Sequence, residues 1–272
     1  MTATLAPPAV QGEAEVLRAL DAVIDPELDE PVTDLGFVRS VAIDPDGGIE
    51  VHLRLPTSFC SPNFAYLMAS DSKDALTAVA GGRPVVVELD DHHDSAIINA
   101  GLAADAGYRG TFGHEAEHDL EELRATFQRK AHTAAMERAL TALLRGRPDL
   151  GEADVWRVRL ADLPDGSERT ALLRRRAVLG LPEDADAPVL VDDEGTGYDE
   201  VDAPLRLRLA RSTRISIDGN AHFCRGLLRT RYPGSGDDQA ARPQGAEPAD
   251  ARHDPGYDPT FIPVQSLLKE KS

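Results

Sequence analysis

Residues 49–68 read IEVHLRLPTSFCSPNFAYLM, and two periodicities meet within them. Ile49, Val51, Leu53 and Leu55 alternate with Glu50, His52 and Arg54, the two-residue period of a strand with one buried face. After Pro56 the pattern changes. Ser61 and Pro62 make a helix start, with serine at the N-cap and proline at the first helical position. The run FAYLMASDSKDALTAVA then continues as helix to Gly81-Gly82. Cys60, one of only two cysteines in 272 residues, stands at the junction.

Working outward, Phe37–Ile43 reads as a strand and DPDGG at 44–48 as the turn of a hairpin with the strand above. Val16, Leu17, Leu20, Val23 and Ile24 recur at helical spacing over 13–24, and PVVVEL after Gly82 reads as a third strand. The order helix, hairpin, helix, strand predicts an α+β fold, built on a small two-layer α/β domain over residues 12–108. A short helix follows in DSAIINAGLAADAG. A long helix occupies most of a connector at 109–146, and GRPDLG at 146–151 marks a boundary.

Residues 152–232 read as a second, smaller α/β segment. It has a strand near Val155–Leu160, a helix through ERTALLRRRAVLGL, a strand PVLV and an alternating run LRLRLARSTRISIDG. A separate helix starts at Asn220 and carries Cys224 in its first turn. The leader 1–11 is loose, 233–255 has the composition of a disordered linker, and the tail 256–272, with YDPTFIPVQSLL, is apolar enough to dock.

Composition removes several function classes. The net charge is −18, which opposes approach to nucleic acid or an anionic membrane. The opening MTATLAPPAV has no basic start and no long apolar run, and two cysteines are too few for a disulfide scaffold, so a cytoplasmic location is expected. No phosphate loop or G-x-S-x-G elbow appears, and Trp156 with the few tyrosines forms no stacking platform.

Cys60 immediately precedes a helix N-terminus, where the dipole and unpaired amides favour a thiolate able to bind soft metals. A small buried residue at a strand-to-helix corner fits its position equally well. Cys224 is expected in a matching setting. Around it, residues 203–231 hold seven arginines, at 206, 208, 211, 214, 225, 229 and 231, against the single acid Asp218. Arg206, Arg208, Arg211, Arg214 and Arg225 form a candidate docking surface for an acidic partner. Pairing with the acid-rich first half of the same chain explains them as well or better. Cys60 and Cys224 are the candidate metal ligands, with His222 or the His92–His93 pair completing the site.

In order along the chain, Asp25-Pro26-Glu27, Asp34-Leu35-Gly36 with Val38 and Val41, and Thr57-x-x-Cys60 resemble the PaaD/SufT-type iron–sulfur assembly domain. Two positions depart from that pattern: Ser61 separates Cys60 from Pro62, and Asp90–Asp94 (DDHHD) replaces the family's Pro-Trp. The resemblance implies an accessory factor, not an enzyme, that delivers iron or an iron–sulfur cluster to an iron-dependent client, a multicomponent oxygenase being one candidate. It implies that Cys60 handles the metal and that Asp25, Glu27, Asp34 and Thr57 shape the loop beside it. A homodimer facing two Cys60 thiols across one cluster is a further possibility the pattern leaves open.

A second class of reading comes from HEAEH at 114–118, the zinc-hydrolase pattern with Glu115 as general base, His114 and His118 as ligands and Glu137 as a distant third. Against it, Glu115, Glu117, Asp119, Glu121 and Glu122 crowd the start of the long helix, where acids complement the dipole without catalysis. A third reading is an adaptor that recognises the client and binds no metal.

Overall fold

In the computed structural model, residues 12–113 and 120–232 are described, together with the backbone of 242–243. The leader, the HEAEH motif and nearly all of the linker and tail lie outside the described residues. Strands β1 (Val38–Ile43) and β2 (Ile49–Arg54) pair antiparallel, and β2 pairs parallel with β3 (Val85–Asp90). A two-residue strand β4 (Arg242–Pro243) lies parallel to β1, giving the order β3-β2-β1-β4.

The hairpin turn is closed by Asp44, whose Oδ1 accepts from the Gly48 amide at 2.7 Å. Upstream, Gly36 adopts φ 74°, a conformation that favours glycine. Its carbonyl accepts from Arg54 Nε at 3.1 Å. The Asp-Leu-Gly triplet is therefore a turn that delivers the chain into β1.

Helices α1 (Glu13–Leu20) and α2 (Pro62–Val79) pack together on one face of the sheet. Val16, Leu20, Val38, Val51, Leu53, Tyr66, Leu76 and Val87 belong to the core they enclose. On the opposite face His52 is half-buried, its ring nitrogens 3.0 Å from Asp90 and 2.9 Å from Glu50. Helices α3 (Ser95–Ala103) and α4 (Gly107–Phe112) follow β3.

The expected α+β class holds, but the strands expected after residue 151 are replaced by helical and irregular structure. Val155–Arg157 and Leu160 lie in two 3-10 turns, Glu152–Arg157 and Leu160–Asp162, with only Val158 and Arg159 extended between them. PVLV makes only isolated bridges, Arg159 to Pro188 and Val191 to Gly197. One reason is Arg176, fully buried on α6 (Ser167–Leu179). Its guanidinium donates to the carbonyls of Pro182, Pro188 and Val189 at 2.8, 2.6 and 3.0 Å. Carbonyls so occupied are poorly available to a strand ladder.

The alternating run and the helix expected from Asn220 are a single helix, α7 (Ala203–Arg231). Its buried residues Ala203, Leu207, Ala210, Ile217, Ala221 and Leu228 follow a helical repeat, while Leu205 and Leu209 are exposed. The first half of α7 packs with α5 (Leu120–Gly146) and α6 in a second core. Glu137 of α5 is buried there and accepts from Arg211 Nε at 3.1 Å and from Arg214 Nε. It is committed to those arginines and does not serve as the distant metal ligand of the hydrolase reading.

His132 of α5 is also buried, and its Nε2 has no hydrogen-bond partner among the described residues. Burial, followed by the charges of Arg176 and Arg175, pushes its pKa down to about 4. Because protonation is suppressed in the folded state, stability is full above the unfolded value near 6.5 and is lost as pH falls toward 4. Denaturant titrations at pH 7 and 4.5 should show a pH-dependent loss that is smaller in His132→Leu than in wild type by roughly 2–3 kcal/mol. An identical loss in both proteins would contradict this assignment.

Candidate functional site

Cys60 lies just before Ser61, which has extended backbone (φ −52°, ψ 128°) and leads into α2 with Pro62 first. Its Sγ is 3.4 Å from Thr57 Oγ1, which also accepts from the Phe59 amide at 3.2 Å. His92 and His93, within the Asp90–Asp94 run, hold this loop from behind. His92 is buried, with Nε2 2.8 Å from the Cys60 carbonyl and Nδ1 3.1 Å from the Asp94 amide. The amide must donate to Nδ1, so Nε2 carries the hydrogen and donates to Cys60. Burial holds the ring's pKa below its usual value, which matches this neutral form.

His93 bonds the Ser58 carbonyl through Nδ1 at 2.8 Å and faces Asp94 through Nε2 at 3.0 Å. The ring nitrogens of His92, His93 and a carboxylate oxygen of Asp94 do cluster. Each ring nitrogen has a hydrogen-bond or ion-pair partner here, and through Cys60 and Ser58 both histidines brace the loop.

A cavity of about 100 Å³ opens beside Cys60, and Cys224 lies on its wall with Asp25, Glu27, Phe37 and Met68. Asp25 is 6% exposed, and its Oδ1 accepts from the Glu27 and Leu28 amides, both at 2.8 Å. The carboxylate thus builds the turn of the Asp-Pro-Glu motif. Burial outweighs those two hydrogen bonds and raises its pKa to about 6. Asp34, by contrast, is exposed in the turn before β1 and does not line the cavity.

Cys224 reaches the cavity for a reason other than the expected one. It lies deep within α7, three residues after buried Ala221 and four before buried Leu228, on the stripe facing the first core. It is far from the N-terminus of its own helix, which starts at Ala203. Burial, then Asp25, Cys60 and Glu27, push its thiol up to about 11. The expected easily ionised thiol is a protonated one at neutral pH. His222, two positions earlier, is exposed on another side of the helix and does not line the cavity.

Most of the arginine cluster is engaged within the chain. Arg225 forms an ion pair with Glu30, Arg211 reaches Glu137 and Glu152, and Arg214 reaches Glu137 and Asp218. Arg206 sits over the Tyr198 ring at 5.0 Å, and Arg208 is exposed. The candidate docking surface is thereby reduced to the residues outside these pairs.

Several contacts fasten α7 and its neighbours to residues 27–30. Asn220, expected as a cap, instead donates to Glu27 Oε1 at 3.2 Å. Arg175 of α6 donates to Asp29 Oδ1 from Nε at 3.2 Å and to Oδ2 from Nη2. Asp29 itself adopts φ 56°. At its far end α7 is held by Arg231, which donates to the carbonyls of Leu55, at 3.0 Å, and Asp91. Asp29, Arg175 and Asn220 were missed by sequence reasoning because such long-range pairs leave no local periodicity.

Comparison with known proteins bears on the first part of the chain. The profile of a family described as iron–sulfur cluster assembly protein matches residues 13–89. An iron–sulfur cluster carrier protein of Mycobacterium leprae is 37% identical over 78 residues, 29% of this chain and 20% of that protein. One of Mycobacterium tuberculosis (strain H37Rv) is 38% identical over 77 residues, 28% of this chain and 20% of that protein. An uncharacterized protein of Methanocaldococcus jannaschii is 31% identical over 85 residues, 31% of this chain and 87% of that protein. The chain thus spans about a fifth of the length of the carrier proteins it matches. No solved structure gives a significant match.

If His92 holds the Cys60 loop, His92→Ala should lower stability by about 1–3 kcal/mol through the lost hydrogen bonds. It should also change the alkylation rate of Cys60 more than that of Cys224. Denaturation curves and mass spectrometry of labelled peptides measure both. Unchanged stability together with unchanged Cys60 labelling would contradict the role.

Proposed function

The chain belongs to the iron–sulfur cluster assembly protein family, and from that premise we propose that it carries iron, alone or as a cluster, to an iron-dependent client protein. The observation that carries this reading is the meeting of the chain's only two cysteines at one cavity, beside a buried carboxylate of the family-matched region. Cys60 holds the cargo, Cys224 is its partner, Asp25 and Glu27 shape the walls, and Thr57 shapes the loop beside Cys60. The cargo is substrate here: it enters, is held and leaves, and no bond of a client molecule is made or broken by the chain. A multicomponent oxygenase is the client class that the PaaD-type resemblance suggests.

The two mycobacterial relatives are iron–sulfur cluster carrier proteins, which supports the reading for residues 13–89. No helix among the described residues is long and apolar enough to cross a membrane. An adaptor that recognises the client without metal is the second reading. It is favoured by Phe59, 80% exposed at the tip of the Cys60 loop.

Protein purified without oxygen should contain iron, with or without acid-labile sulfide. Cys60→Ser should lose roughly ten-fold or more of it, and Cys224→Ser should retain less than wild type. Equal iron in all three proteins would contradict the proposal. No iron in any, combined with full client activation by both variants, would establish the adaptor.

A further inference from the structure

We propose that the sheet face opposite α1 and α2 carries a site for one divalent transition-metal ion, bound by His52 Nδ1 and the carboxylates of Glu88 and Asp90, and separate from the cysteine cavity.

Strand pairing assembles the ligands. His52 of β2 is in register with Glu88 of β3, and Asp90 lies two residues further along β3, on the same face. One ligand atom from each of the three lies within 4.8 Å of the other two. His52 Nδ1 and Asp90 Oδ1 are 3.0 Å apart. Two bonds of roughly 2.1 Å to a common ion, at about a right angle, give that separation. The Glu88 carboxylate has no hydrogen bond or ion pair among the described residues, so it can turn to an ion without breaking one.

The surroundings of the ring call for a cation at that point. Glu50 Oε1 faces Nε2 at 2.9 Å, while Asp90 Oδ1 faces Nδ1. A neutral imidazole has a single N–H and can donate to only one of them. With that hydrogen on Nε2 and given to Glu50, Nδ1 turns a lone pair toward a carboxylate. The contact is then favourable only with positive charge between the two atoms, a proton at low pH or a metal ion above it. A ring ligating through one nitrogen and held by a carboxylate on the other is how metal sites orient histidine. Arg39 Nη1 donates to Asp90 Oδ2 at 2.7 Å, engaging the oxygen turned away from the ring. Glu50, Glu88 and Asp90 outnumber that guanidinium, so the site keeps net negative charge.

The donor set selects the ion. One imidazole nitrogen with two carboxylates suits a borderline ion such as Zn(II), whereas Mg(II) and Ca(II) take oxygen ligands. The side chains of His52 and Asp90 keep some solvent contact, so water can complete the coordination. Burial opposes protonation of His52, but its bonds to Asp90 and Glu50 outweigh it and raise the ring's pKa above 6.5. At pH 5.5 the ion must therefore displace the Nδ1 proton to solvent, and no electron moves.

The test titrates Zn(II) calorimetrically into the full-length, untagged chain carrying Cys60→Ser and Cys224→Ser, in which no thiol competes. The proposal expects one Zn(II) per chain at pH 7.5, and weaker binding at pH 5.5 with about one proton released per ion. In that background Glu50→Gln should weaken binding about 10–100-fold. His52→Gln and Glu88→Gln, which remove ligands, should each weaken it at least as much. Circular dichroism confirms that every variant is folded.

Unchanged affinity in either His52→Gln or Glu88→Gln overturns the proposal, as does absence of Zn(II) binding to the thiol-free chain or equal affinity at the two pH values. Binding that survives in those two variants but is lost in His93→Ala places the ion at the His92, His93 and Asp94 group and overturns it too. Because both cysteines are absent throughout, none of these results bears on the carrier reading.

Discussion

Helix α7 belongs to two hydrophobic cores at once, and the candidate site depends on that sharing. At 29 residues it extends roughly 43 Å. Ala203, Leu207 and Ala210 pack in the second core, whereas Ala221 and Leu228 pack in the first. Cys224 can therefore face the cavity only while the helix keeps its rotation about its own axis. The exposed parts of the arginine network add little individually. Glu137 differs because it is buried: removing its arginines would leave an uncompensated charge, at a cost of about 3–5 kcal/mol. That pair fixes the rotation of α7 against α5, and through it the direction in which Cys224 points.

The first hundred residues were legible because local rules and tertiary packing agree there. Alternation in IEVHLRL, the Asp44 turn and the Ser61-Pro62 start each specify a short-range structure that the fold retains. After residue 151 they disagree. LRLRLARS alternates like a strand, but Leu205 and Leu209 face solvent, and the residues that decide the element are Ala203, Leu207 and Ala210. Alanines in a stripe carry little hydrophobic signal, so the helix is visible only through what it packs against. PVLV is apolar like a strand, yet the carbonyls of Pro188 and Val189 go to Arg176, a long-range contact unmarked in the local sequence.

The site was half legible in the same sense. Cys60 and the Asp25 turn follow from motif and local geometry. The meeting of Cys60 with Cys224 was anticipated on the ground that both lie at helix starts, and α7 brings them together on a different ground. His92 and His93 looked like metal ligands because imidazoles between acids are suited to metals. Their ring nitrogens are spent on the Cys60 loop, on Asp94 and on Ser58.

The central claim is that Cys60 and Cys224 share one cavity, and bridging the two thiols tests it most directly. Reduced protein at low concentration would be treated with dibromobimane, which fluoresces strongly once both arms have reacted with thiols, and then digested for mass spectrometry. The account predicts an intramolecular bridge joining the Cys60 and Cys224 peptides in wild type, absent from Cys60→Ser and Cys224→Ser. Separate single modifications of the two cysteines, with no bridged peptide, would contradict it.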